Sequence, residues 1–124
     1  MHVDGILNDT LKRLESKKKH FQALRDKLDQ AGIPWHDNSD FLFDRTQGEW
    51  NGHFFSAIHG YGSYGSEKGY LEVRIDETEP IGWLTAKEAF DLIAGKVDYE
   101  QADQIAKKNC SKEWELFQSK KGVM

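Results

Sequence analysis

The 124-residue chain holds a single cysteine, so no internal disulfide can brace it. No stretch approaches the roughly 18 consecutive apolar residues that a membrane-crossing helix needs, so no span and no membrane partner are expected. The opening MHVDGILND carries acids and lacks a long apolar core, and does not read as a secretory signal. These absences lead to the expectation of a reducing, cytoplasmic setting. A surplus of positive charge is missing too. The 17 Lys and Arg face 21 Asp and Glu, a formal net charge of -4, which argues against a dedicated duplex-DNA binder. No group of residues combines nucleophile, base and orienting partner, so no enzyme is expected. What is present suits one ordinary domain over residues 1–124. Four Trp, four Tyr and seven Phe supply bulk for a core, which argues against disorder.

Charge is unevenly placed. Residues 12–27 carry a net +5, residues 1–11 carry -2, and residues 28–124 carry -7. A basic segment on an acidic body suggests a charged partner or contact between unlike faces; a solvated helix face explains the same lysines.

Residues 1–32 read as one long amphipathic helix. Leu7, Leu14, Phe21 and Leu28 recur every seven residues, with Val3, Leu11, Leu24 and Ala31 beside them and Lys17 and Lys18 interrupting that second row. Gly32 suits the left-handed position past the last turn, and Pro34 blocks continuation. A helix over residues 3–31 would be about 43 Å long, against roughly 35 Å across a domain of this size. Leu7, Leu11 and Leu14 are therefore expected to meet a partner chain in a homodimer.

Residues 40–76 read as antiparallel sheet. Phe41, Leu42 and Phe43 form a short apolar run bounded by acids. Asn51-Gly52 is a hairpin turn signal ahead of a strand over residues 53–59. Leu71, Val73 and Ile75 alternate with Glu72 and Arg74, the period of a half-buried strand. Residues 83–120 read as short helices. Thr85 and Glu88 form a capping box with Leu84 as its staple against Ala89. Asp98 with Gln101 marks a second start, and Ser111 precedes a final piece carrying Trp114 and Phe117. The expected fold is α+β: the long N-terminal helix, a three- to four-stranded antiparallel sheet and two to three short C-terminal helices.

Few motifs carry chemistry. Residues 60–65 match G-x-G-x-x-G, but a dinucleotide turn must open a helix, and here a strand follows. The stretch reads as a hairpin turn, as a phosphate nest of backbone amides, or as a protein-binding loop presenting Tyr61 and Tyr64. His53 and His59 lie six residues apart on one strand, about 20 Å, too far to share a metal. Residues 37–44 lack the glycine and glutamate of a calcium loop. Cys110 stands near Lys107, Lys108 and Lys112, which could lower a thiol pKa, yet no His–acid pair accompanies it. No metal and no cofactor are expected.

The strings Ser63-Tyr64-Gly65, Lys68-Gly69-Tyr70-Leu71-Glu72-Val73 and Gly82-Trp83-Leu84-Thr85-Ala86-Lys87-Glu88 resemble small proteins encoded by bacteriophages and prophages. The likeness covers residues 53–93. It implies a phage context, in which small acidic proteins bind and block host defence machinery, as anti-CRISPR proteins do. No catalytic residue carries over from it.

Two functions follow as expectations. In the first, the protein binds and inhibits a host protein, such as a nucleic-acid-handling defence effector, without catalysis. Asp37, Asp40, Asp44, Asp76, Glu77 and Glu79 then imitate nucleic acid, and Tyr61 and Tyr64 act as anchors. In the second, it binds a small ligand or nucleic acid, placing phosphates on Gly60, Gly62, Gly65 and Lys68, or on Lys17, Lys18 and Lys19.

Overall fold

Turn chemistry sets the topology. A computed structural model of the chain describes residues 19–60, 63, 65–66 and 69–122. Its elements run α1 (Lys19–Ala31), β1 (His36–Asp37), β2 (Phe43–Trp50), β3 (His53–Gly60), β4 (Leu71–Ile75), β5 (Ile81–Leu84), α2 (Ala86–Ile93) and α3 (Tyr99–Gly122). The strands form one antiparallel sheet in sequence order. Asn51 and Gly52 both take positive φ (54° and 79°), the tight turn that β2 and β3 need to pair.

The described part of the first helix spans 13 residues and buries Phe21, Leu24 and Leu28, the stripe its spacing predicts. Its end is a Schellman motif. The Ile33 amide donates to the Leu28 carbonyl (2.9 Å) and the Gly32 amide to that of Asp29 (3.1 Å), with Gly32 at φ 72°. The expected continuation through Leu7, Leu11, Leu14, Lys17 and Lys18 lies outside the described residues.

Two expectations are corrected. The sheet has five strands, not three or four, because β1 and β5 join its edges. Residues 81–84, read as a lead-in to a helix, pair with β4 through a bulge: Leu84 faces Leu71 and Ile81 faces Val73, leaving Gly82 and Trp83 opposite Glu72 alone. The extra residue is accommodated by Trp83 at φ 60°, a left-handed backbone that a bulky side chain adopts only under constraint. The Asn109 amide group supplies that constraint, donating to the Trp83 carbonyl (2.7 Å) and to Glu88 (2.8 Å). The second correction concerns the C-terminus, which is not a set of short helices. After α2 comes one helix of 24 residues, about 36 Å long. Ser111 lies inside it, since no glycine or proline interrupts residues 99–121.

Helices cover one face of the sheet. Phe55, Ala57, Leu71, Val73, Ile81 and Leu84 from the strands meet Phe21, Leu24 and Leu28 of α1, Ala89, Leu92 and Ile93 of α2, and Ala102 and Ala106 of α3. The capping box forms as its residues require: the Glu88 amide donates to Thr85 Oγ1 (3.3 Å) and the Thr85 amide to Glu88 Oε1 (2.9 Å). Asp98 and Gln101 make the same reciprocal pair (2.8 and 2.9 Å) ahead of α3. Arg25 ties α1 to the sheet's edge. Its guanidinium lies over Phe21 and Trp35 (4.4 and 4.5 Å) and donates to buried Thr46 (2.7 Å), to Asp37 (2.7 Å) and to the Arg45 carbonyl (3.2 Å).

Candidate protein-binding face

Alternation along the strands decides what faces water. Thr46 and Gly48 point into the core, as do Phe55, Ala57 and His59, and Leu71 and Val73. Their neighbours share the opposite face, which no helix among the described residues covers. The register aligns them in rows. Arg45, Ile58 and Glu72 stand side by side across β2, β3 and β4, and Gln47, Ser56 and Arg74 form the next row. Together with Phe54, Asp76, Glu77 and Pro80 these residues line a shallow groove of about 570 Å³. The Arg45 guanidinium lies 5.8 Å from the Phe43 ring. Glu72 is enclosed, at 9% exposure, while Arg74 is exposed.

Carboxylates fix both ends of this face. At one end Asp76, at φ 53°, accepts from the Phe54 amide (2.9 Å) and pairs with His53 Nδ1 (2.7 Å). The His53 contact, then the amide, hold its carboxyl below the usual range. At the other end Asp40 accepts from the amides of Leu42 (2.9 Å) and Phe43 (3.0 Å), which lower its pKa in that order. Asp37 is lowered by the Ser39 hydroxyl and then by Arg25. Asp44 lies on the covered side, 3.7 Å from Nδ1 of buried His59. Glu79 is exposed in the β4–β5 turn. The six acids expected to act together are therefore split between two ends of the sheet, and only Asp76 and Glu77 line the groove.

Five amides of the glycine-rich connection are spent on the connection itself. Those of Ser63, Ser66, Gly69 and Tyr70 donate to the carbonyls of Gly60, Ser63, Ser66 and Gly65, and the Gly60 amide donates to Ser63 Oγ. Gly65, at φ 82°, packs against Trp83, where a Cβ would sit 3.0 Å from the indole. Turn geometry and close packing thus account for Gly60 and Gly65. Tyr61, Gly62, Tyr64 and Lys68 lie outside the described residues. Lys19 is exposed at the start of α1. Beside this loop the His20 ring stacks on Tyr70 (5.9 Å), whose hydroxyl donates to Glu113 (3.1 Å). Burial, reinforced by Glu113, raises the Tyr70 pKa; burial and then Lys19 lower that of His20.

The sequence reading did not single out Arg45, Arg74, Phe54 or Ser56 as site residues. The alternation in residues 71–75 is a signal that could have placed Arg74 on an outer face. Among the described residues, no group of three or more His, Cys, Asp or Glu could hold a metal ion, and no helix is long and apolar enough to cross a membrane. No family model, no curated protein and no solved structure matches this chain.

Proposed function

We propose that this is a non-enzymatic binding protein of the phage accessory kind, which docks a host protein, such as a nucleic-acid-handling defence effector, on the open face of its sheet. One observation carries the reading: the uncovered face holds a groove whose walls mix Arg45 and Arg74, Asp76 and Glu77, and apolar Phe54 and Ile58. A mixed-sign lining with an aromatic at its edge suits a protein surface. A phosphate backbone calls for cations without interleaved acids. Of the glycine amides that the phosphate reading would use, that of Gly60 already donates to Ser63 Oγ within the loop.

A photo-crosslinking residue placed at Ser56, in the middle of the groove, tests this in the cells where the protein acts. The expected product is a discrete protein adduct that Arg74→Glu diminishes. Adducts to nucleic acid, or a 260 nm absorbance excess on the purified protein that high salt removes, would overturn the reading in favour of a nucleic-acid binder.

A further inference from the structure

Phe41 is fully exposed, at 100%, and its neighbour Leu42 is 57% exposed. Both stand at the tip of the β1–β2 hairpin, in a closed turn. The Asp40 carboxylate holds the Leu42 and Phe43 amides, the Asp40 amide donates to the Phe43 carbonyl (2.8 Å), and the Asn38 amide donates to that of Arg45 (3.0 Å). A fixed tip gives up little conformational entropy on docking, so an apolar ring displayed this way is preorganised for a contact. At the opposite end of the same hairpin lies a second groove, of about 410 Å³, lined by Pro34, Trp35, His36, Gly48, Glu49 and Phe54.

We propose that this edge is an interface between two copies of the chain, with Phe41 and Leu42 of each seated in the Pro34–Trp35–Phe54 groove of the other. The placement carries the inference. Tip and groove sit at the two ends of one hairpin, so a two-fold axis through its middle brings each tip to the other copy's groove and closes the pair. The area is sufficient. A buried Phe contributes about 150–250 Å²; adding Leu42 and the receiving walls gives roughly 600 Å² per tip and about 1,200 Å² for two, the lower bound of a standard interface. Strand addition is not the mode. The outer strand of this edge, β1, is only two residues long and gives an added strand little to pair with. Phe54 borders both this groove and that of the open face, so the two contacts adjoin.

Sedimentation of the full chain at up to about 0.1 mM reads the association directly, because dimer population follows concentration. The expected mass is twice 14.3 kDa. Phe41→Ser removes a fully exposed ring, so circular dichroism should be unchanged while the dimer weakens at least roughly tenfold. A second variant carries Phe41→Cys and Glu49→Cys with Cys110→Ser. Within one chain these positions lie about 25 Å apart, against the roughly 7 Å a disulfide can span. Oxidation should therefore link two chains. A single-chain mass at the highest concentration overturns the proposal. So does a dimer indifferent to Phe41→Ser that forms no cross-link, which would assign the contact to another surface such as the Leu7, Leu11 and Leu14 stripe. Co-sedimentation with phosphatidylcholine–phosphatidylglycerol vesicles that depends on Phe41, in a monomeric chain, overturns it in favour of a lipid surface.

Discussion

The two faces of the sheet are made from the same three central strands, yet they are built on opposite principles. On the covered face Phe55, Ala57, Leu71 and Val73 are at most 1% exposed, and its polar Thr46 is matched by Arg25. On the open face Arg45, Gln47, Ser56 and Arg74 alternate with these residues one position away. A side chain's place here is decided by parity along the strand. Adjacent residues of one type, Phe54 and Phe55, consequently have different work: one fills the core and one borders a groove.

The sharpest way to break that contrast is to truncate both rings. Phe55→Ala should lower stability by about 3–5 kcal/mol, the cost of a cavity in a packed core. Phe54→Ala, at a position 40% exposed, should stay within roughly 1 kcal/mol. Equal losses in urea denaturation would mean that the open face is also structural. The next largest effect is expected at Arg25. Arg25→Ala leaves the buried Thr46 hydroxyl without its donor and frees α1 from the hairpin, a loss of about 2–3 kcal/mol. Arg25→Lys should recover little, since a single ammonium cannot reproduce a planar fork held between Phe21 and Trp35.

A smaller, pH-dependent effect is expected on the covered side. His20 Nδ1 lies 3.3 Å from the Ala86 amide as its acceptor, which requires that nitrogen to be unprotonated. Burial, then Lys19, lower its pKa beneath the ordinary 6.5. The unfolded chain thus binds a proton before the folded one does. The stability this group contributes is complete above about 6.5 and is lost as pH falls from there through the folded value. Urea midpoints should decline over that window in the wild type and decline less in His20→Phe. Parallel curves for the two proteins would assign the acid sensitivity elsewhere.

Features set by neighbours in the chain were legible in the sequence. The Gly32 stop, the Asn51-Gly52 turn, both capping boxes and the alternation in residues 71–75 each need only a few adjacent residues, and each is present. What depended on distant partners was not legible. A four-residue strand containing Gly82 and a left-handed Trp83 has no local strand signature; it exists because β4 and Asn109 hold it. Ser111 reads as preceding a separate final piece, but one helix runs through it, and Asn109 within that helix spends its side chain bridging to β5 and Glu88. The apolar run Phe41-Leu42-Phe43 reads as part of the sheet, whereas only Phe43 enters a strand and the two residues before it form the tip. Acids could be counted in the sequence, but their division between two ends of a sheet follows from the pairing alone.

Gly60 closes β3 directly beneath that tip. A Cβ at this position would run into the Leu42 carbonyl and come within 2.9 Å of Phe43 Cα, two backbone groups that cannot rotate aside. The missing methyl is therefore the fulcrum on which the hairpin rests, and the bearing of Phe41 is set by a residue on a different strand, beyond the turn that displays it. One added carbon at Gly60 would tilt the hairpin end like a lever, re-aiming the ring while leaving its chemistry untouched. A chain of this design can change what its tip reaches without altering any residue of the tip.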